Sequence, residues 1–321
     1  MEFISDKTGE RLDKFLAAHY TGISRSQFQK LINEGTIKIN GKAAKKPAIL
    51  LRKGDRVLIL EEEVLRQTQG GKEFIVEPEP DIPLEIIYED SDIVVINKTA
   101  GLLVHPTLSQ KKHTLANALI ARYPEMKNVG ESPMRPGIVH RLDKDTSGVI
   151  VATKNQAAFL YMKDQFLKRG IYKKYLALVE GIPKEKEGVI EYDIRPSKTN
   201  RLKKVAVKSF DKIWLKKSRR TAKTAYKVIK NIGDKFSLIE VSPVTGRTHQ
   251  IRVHLAAIGH PIVGDRMYGS KAKSDTRYVL KRQFLHAFSL EFTAPNGKKL
   301  SLETKLPEDL NNLIKNLNPV A

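Results

Sequence analysis

Apolar β-prone runs follow one another along this chain with only short turns between them, and that succession limits the folds open to it. Glu85-Ile86-Ile87-Tyr88 is soon followed by Ile93-Val94-Val95-Ile96. Phe288-Ser289-Leu290-Glu291-Phe292 and Leu300-Ser301-Leu302-Glu303 flank Asn296-Gly297, a tight-hairpin signal. Tyr175 to Val179 and Ser237 to Val241 read as further strands. Helical stretches are fewer. Thr114 caps one that carries Leu115, Leu119 and Ile120, Ala157 to Lys168 is another, and Pro307 opens a last one ending near Leu317. A doubly wound fold would alternate strand and helix. Strands here adjoin strands, so the expected class is α+β with a mixed sheet. No internal repeat is visible.

The first 60 residues form a separate small α/β module. Leu12, Phe15 and Leu16 have helical spacing. Ser24-Arg25-Ser26-Gln27 has the form of a capping box, and the helix it opens puts Phe28, Leu31 and Ile32 on one face before Gly35 stops it. Thr36 to Ile39 alternates as a strand into Asn40-Gly41, and Lys53-Gly54-Asp55 turns into a closing strand, Arg56 to Leu60. Residues 61–82 read as a linker. Glu61-Glu62-Glu63, Gln69-Gly70-Gly71 and Pro78-Glu79-Pro80 break any periodicity there. Residues 83–321 form the second domain.

The chain has 57 Lys and Arg against 36 Asp and Glu, a formal net charge of +21. Such an excess favours a polyanionic partner. It is concentrated. From Lys198 to Lys227, Asp211 is the only acid among Lys198, Arg201, Lys203, Lys204, Lys208, Lys212, Lys216, Lys217, Arg219, Arg220, Lys223 and Lys227. That density reads as a footprint for phosphates. With no cysteine there is no disulfide, thiolate zinc site or Cys nucleophile, as in many cytoplasmic proteins. No apolar run is long enough to span a membrane, and the N-terminus lacks the pattern of a secretory signal.

The most informative segment for chemistry is His140-Arg141-Leu142-Asp143-Lys144-Asp145-Thr146-Ser147-Gly148. It lies between Gly137-Ile138-Val139, read as a short strand, and the β-prone run Gly148 to Thr153. Charge and turn formers at a strand-to-strand junction suit a site, because buried charges need partners and rigid strands hold functional loops. An ordinary Asx turn is the plain alternative. Asp143, Asp145, Ser147 and Gly148 also fit the start of a calcium loop, but Lys154 stands where that loop needs an acid. His249 and His254 are off the spacing of a helical zinc pair, so no metal is expected.

His-Arg-Leu-Asp followed by Thr-Ser-Gly resembles the signature of the RluA-type pseudouridine synthases. Further matches come in that family's order. They are Asn97-Lys98 with Gly101 to Pro106, Lys173-Lys174-Tyr175, Gly246-Arg247-Thr248-His249-Gln250-Ile251-Arg252-Val253-His254, and Leu285-His286-Ala287. They span about Pro83 to Pro295. Thr99 departs from the pattern, where the family usually has Pro. Residues 1–60 resemble the RNA-binding S4 domain, from Arg11-Leu12-Asp13 through Ser24-Arg25 to Gly54-Asp55. The resemblance implies a mixed, largely antiparallel sheet of the pseudouridine synthase fold behind a small S4-like α/β domain. Within the family the wording is most like the RluD branch, which acts on large-subunit ribosomal RNA.

The implied chemistry breaks the N-glycosidic bond of a uridine, turns the base and rejoins it through carbon five. Atoms and electrons balance within the nucleotide, so no cofactor is expected. By the resemblance Asp143 is the catalytic nucleophile, Arg252 the cation paired with it and Tyr175 the ring against the base. A nucleophilic Asp must be ionised, and an adjacent planar guanidinium favours that state. Arg141, which the family suggests fills the gap left by the extruded nucleotide, joins His140, Arg247 and Lys173 as candidates for substrate binding. Gly246-Arg247-Thr248 is read as a possible phosphate site at a helix start or a plain turn with Thr248 as N-cap. Arg25, Lys30 and Lys38 are candidates for RNA backbone. The expected partner is RNA, and the expected state is a cytoplasmic monomer without metal. A non-catalytic RNA-binding or ribosome-assembly factor, and the same chemistry on transfer RNA, are the other readings open at this point.

Overall fold

The structure, a computed structural model, describes residues 2–20, 25–59, 75–107, 110–197, 199–200, 203–208, 220–269 and 280–317. The Ser24 cap, the runs at 61–63 and 69–71, and Lys198, Arg201, Asp211, Lys212, Lys216, Lys217 and Arg219 of the basic stretch lie outside these residues. Its contacts divide the chain into two units, at Ile75/Val76.

In the N-terminal unit, β1 (Glu2–Ile4), α1 (Leu12–His19), α2 (Arg25–Asn33), β2 (Ile37–Ile39), β3 (Lys42–Ala43) and β4 (Arg56–Ile59) follow in order. The strands form an antiparallel sheet, β1-β4-β2-β3. Leu12, Phe15 and Leu16 of α1 and Phe28, Leu31 and Ile32 of α2 meet Ile37, Leu51, Val57 and Ile59 in one core. Helix α2 ends because Gly35 turns left-handed (φ +78), which lets the N–H groups of Gly35 and Thr36 reach back to Ile32 and Leu31. Asn40 and Gly41 both have positive φ, the turn that a two-residue hairpin between β2 and β3 needs.

The larger unit holds β5 (Ile86–Glu89), β6 (Ile93–Lys98), α3 (Leu115–Arg122), β7 (Ser147–Thr153), α4 (Gln156–Lys168), β8 (Tyr172–Glu180), β9 (Glu187–Ile190), β10 (Tyr192–Pro196), β11 (Lys204–Lys208), β12 (Thr224–Ile232), β13 (Phe236–Pro243), α5 (Gln250–Ala257), β14 (Leu285–Thr293), β15 (Lys299–Glu303) and α6 (Glu308–Leu317). A 3₁₀ turn covers Pro124–Asn128. One large sheet runs β5-β6-β7-β14-β8-β13-β12-β9, with β15 also on β14, and β10 pairs β11 separately. Every pairing in the large sheet is antiparallel except β7 with β14. The class is α+β with a mixed, largely antiparallel sheet.

The centre of this sheet is covered on both faces, which is why its strands read as unbroken apolar runs. On one face Val94, Ile96, Ile150 and Ala152 pack with Leu115, Leu119, Ile251, Leu255, Leu310 and Leu313 of three helices. On the other, Ile93, Val95, Val149 and Val151 pack with Met162 of α4 and Leu300 of β15. Val76 is buried, and the amide of Asn117 donates to the Glu77 carbonyl. Residues 76–82, part of the stretch read as a linker, are therefore anchored to this unit. Gly137 to Val139 is not the strand expected of it; Ile138 makes one isolated bridge to Ala152.

Candidate active site

Strand β7 sits mid-sheet, and the chain before it doubles back along it. Thr153 N–H donates to the Gly137 carbonyl at 2.9 Å, so the segment 140–146 forms a loop at the end of β7. Three contacts hold that loop. Gly148 has φ +117, and a Cβ there would overlap the Ala287 carbonyl oxygen across the parallel seam, so only glycine fits. Ser147 Oγ pairs with His286 Nδ1 at 2.9 Å, and Thr304 Oγ1 with the other ring nitrogen at 3.1 Å. Arg282, bound to Asp309, also donates to the Asp145 carbonyl at 3.2 Å. The late Leu285-His286-Ala287 motif is thus the rail on which the loop is mounted.

Lys98 closes the loop from beneath. Its fully buried ammonium donates to the carbonyls of Thr99, Leu102 and Lys144 at 2.7, 2.8 and 3.0 Å. Burial pushes its pKa down to about 7, against the pull of Asp145 and Asp143. The upstream loop Lys98 to Leu102 is tied in this way to the segment that carries Asp143.

Asp143, on that loop, meets Arg252 of α5. Arg252 Nη1 donates to Asp143 Oδ2 at 3.0 Å, and its Nε and Nη2 fork onto Asp265 at 2.7 and 2.9 Å. Side-chain exposure separates the two carboxylates: 16% for Asp143 and 0% for Asp265. The buried acid anchors the guanidinium, and the accessible one faces the cavity. Burial alone would lower the Arg252 pKa, but the bonds and charge of Asp265, with those of Asp143, raise it. Burial likewise opposes a charged Asp265. The Arg252 bonds and the N–H groups of Met267 and Tyr268 lower its pKa nonetheless.

The cavity here measures about 570 Å³, within the range of small-molecule sites. Asp143, Tyr175, Arg252, Arg141, His140, Arg247 and Lys173 all line it. Tyr175 lies on β8, opposite Ala287 and Val241, and is buried. Burial and the Asp143 charge both raise its pKa, so the phenol stays protonated. Lys173 lies above the Phe166 ring at 5.6 Å, its pKa lowered by burial. Arg247 Nε donates to the Thr221 carbonyl at 3.2 Å. Arg141 is exposed. His140 is committed to the fold: its Nε2 accepts from Val151 N–H at 3.0 Å, and burial pushes its pKa down to about 3.

The expected helix start is corrected. Thr248 is not the N-cap; α5 begins at Gln250, and His249 is the cap, in a left-handed conformation (φ +58). The buried Gln250 side chain ties the preceding loop together. It accepts from Thr245 Oγ1 and Arg247 N–H and donates to the Lys223 carbonyl and Thr224 Oγ1. His254 faces Thr224 and the Tyr192 carbonyl, away from His249's partners.

Arg25, Lys30 and Lys38 lie in the other unit. Arg25 is not wholly available to RNA, because its Nε and Nη2 donate to Asp13 Oδ2 at 3.0 and 2.8 Å. Lys30 is 3.8 Å from Glu34. Lys38 is half-buried on β2. The sequence reading missed Asp265, Lys98 as a cradle, and the pairing of His249 with Tyr268. The run Gly264-Asp265-Arg266-Met267-Tyr268-Gly269 held the one available signal, an acid opening a glycine-bounded turn.

A carboxylate pinned by a guanidinium in a cavity rimmed with further cations describes an enzyme acting on a polyanion. The comparisons are specific. The sequence model described as RNA pseudouridylate synthase matches residues 92–257, and the S4 domain model matches residues 10–57. The chain therefore belongs to the RNA pseudouridylate synthase family, the isomerases that make pseudouridine in RNA. It is 39% identical to an uncharacterized RNA pseudouridine synthase of Aquifex aeolicus, over 96% of this chain and 94% of that one. It is 35% identical to the ribosomal large subunit pseudouridine synthase D of Zymomonas mobilis, over 96% and 94%. The solved human RNA pseudouridylate synthase domain containing 1 superposes with TM-score 0.57 at 30% identity, covering 74% of this chain and 90% of that one.

Proposed function

We propose that this enzyme isomerises specific uridines of large-subunit ribosomal RNA, with Asp143 as nucleophile. The observation that carries the reading is the arrangement Asp265–Arg252–Asp143 at the cavity. One carboxylate is consumed in fixing the guanidinium, and the other is left facing the space where a base would enter. The substrate class is supported by relatives named for the large ribosomal subunit in Zymomonas mobilis and Borreliella burgdorferi, the latter 37% identical over 90% of this chain.

In this reading Asp143 attacks the extruded nucleotide, the bond from N1 to the sugar opens, and the base turns. Carbon five then bonds the sugar, the bond to Asp143 breaks and returns its carboxylate, carbon five loses its proton, and N1 gains one. Tyr175 lies against the base, where stacking contributes about 1–3 kcal/mol. Protonated, it can donate to the detached ring but is not a base. Arg141, Arg247 and Lys173 meet the phosphates and neighbours of the target, and flipping costs a few kcal/mol. In the S4 unit Arg25, Lys30 and Lys38 grip the backbone. The reading needs no cofactor, no metal and one copy of the chain, working in the cytoplasm. Among the described residues no helix is long and apolar enough to cross a membrane.

The test maps pseudouridines in cellular RNA with and without the gene, complemented by wild type or Asp143→Asn. Loss of particular ribosomal sites, restored by wild type alone, is the expected result. Restoration by Asp143→Asn overturns Asp143 as nucleophile, and lost sites confined to transfer RNA overturn the substrate.

A further inference from the structure

Two nitrogens approach Asp143 Oδ2. Arg252 Nη1 is at 3.0 Å, and His249 Nε2 is at 4.0 Å. Asp143 Oδ1 has no hydrogen-bond partner among the described residues. His249 holds the left-handed backbone that few residues other than glycine adopt, though histidine tolerates it better than most. From this capping position the ring faces the Asp143 loop.

The other side of the ring is fixed too. His249 Nδ1 lies 2.9 Å from the Tyr268 hydroxyl, which already accepts from Lys204 N–H at 2.8 Å. With that bond made, the phenol is best satisfied by donating its single proton to Nδ1. Nδ1 then accepts, and the ring proton sits on Nε2, facing Asp143. Tyr268 is itself held. Asp265 Oδ1 accepts from its N–H, and the Arg252 guanidinium lies 5.2 Å from its ring centre. Burial lowers the His249 pKa, with Arg252 and Arg141 opposing protonation and Asp143 and Asp265 favouring it, so the free enzyme carries a neutral ring.

We propose that His249, fixed by Tyr268 in the tautomer with its proton on Nε2, is a positioning residue that aims an N–H at Asp143 Oδ2. Arg252 and His249 together occupy that oxygen and leave Oδ1 to attack. The 4.0 Å separation closes to hydrogen-bond length, about 3 Å, as the nucleotide fills the cavity and excludes water. The inference rests on Asp143 being the nucleophile.

The experiment measures single-turnover pseudouridine formation on ribosomal RNA from cells lacking the gene. It compares wild type, Asp143→Asn, His249→Ala, His249→Gln and Tyr268→Phe, with RNA affinity and melting temperature recorded for each. A misplaced nucleophile slows the chemical step by on the order of 100-fold. His249→Ala should show that loss at saturating RNA with affinity unchanged, and His249→Gln, which restores an N–H donor, should recover much of it. Tyr268→Phe leaves the His249 backbone untouched. It should slow the step less than His249→Ala does, because the ring is then free to place its proton on Nδ1 and take it away from Asp143. If the His249 variants do not fold, Tyr268→Phe decides alone. A wild-type rate there, or full activity in a folded His249→Ala, overturns the proposal. Equal losses in His249→Ala and His249→Gln, both folded, also overturn it. Activity in Asp143→Asn overturns the reading of Asp143 on which it rests, and none in wild type overturns ribosomal RNA as the substrate.

Discussion

The two units solve opposite electrostatic problems with the same pair of residue types. In the N-terminal unit one buried carboxylate, Asp13, accepts from two guanidiniums, Arg11 and Arg25, and from Gln29. In the larger unit one buried guanidinium, Arg252, serves two carboxylates, Asp265 and Asp143. The fully buried member with the full set of bonds is an acid both times. What differs is the charge left over. The Asp13 cluster leaves a positive charge on two half-exposed arginines, which suits a phosphate backbone. The Arg252 cluster leaves a negative charge on the one carboxylate that faces the cavity, which suits a nucleophile. A buried acid is thus used once to present cations and once to present, through a cation, another acid.

The comparison is broken most severely at Arg252. Arg252→Ala strands Asp265 and should cost about 3–5 kcal/mol in urea unfolding of the larger unit, with activity lost. A stable, active variant refutes the clamp. Asp265→Asn should come next, at about 1.5–3 kcal/mol from weakened charge-assisted bonds, and should slow pseudouridine formation because Arg252 is no longer aimed. Asp13→Asn should destabilise the N-terminal unit by about 1–3 kcal/mol and weaken RNA binding, with the rate at saturating RNA unchanged. A changed saturated rate would deny the division of labour between the two clusters.

Acid should then separate the units. His105 and His286 are pushed down to about 4 by burial and His140 to about 3, whereas an unfolded histidine titrates near 6.5. Below pH 6.5 the unfolded chain binds more protons, so the larger unit loses stability as pH falls from about 6.5 towards 4. Asp13, which burial would raise but Arg11, Gln29 and Arg25 hold well below the carboxylate range, gives the other unit its loss mainly below about pH 4. Calorimetry across that range should show the larger unit's transition moving down first. The smallest effect is expected for Arg25→Ala, which should weaken RNA binding and reduce the magnitude of its salt slope by about 1.

Much was legible in the chain because local chemistry carried it. The Gly35 stop, the Asn40-Gly41 hairpin and the Phe288 to Glu303 hairpin follow from backbone freedom and alternation, and these are local properties. The Asp143 loop was legible because charges packed densely between apolar runs cannot join the core without partners, so the chain must turn there and present them. Gly137 to Val139 was misread because its apolar character serves a buried connection, which alternation cannot distinguish from a strand. The alternative with Thr248 as N-cap fails because the cap depends on a left-handed turn at His249 that a non-glycine residue does not announce.

By itself the sequence determined the class of fold and the S4-like module and, through a family resemblance, pointed to Asp143, Tyr175 and Arg252, since periodicity, turn chemistry and motif wording lie along the chain. Only the tertiary structure decided that Arg252 is shared with Asp265, that Lys98 cradles the loop, that Arg25 is tied to Asp13, and that Tyr268 sets the His249 ring. Each of these is a pairing of charges or donors brought close by folding. Which partner a buried charge finds is settled by three-dimensional packing and desolvation, and neither is written in the spacing of residues.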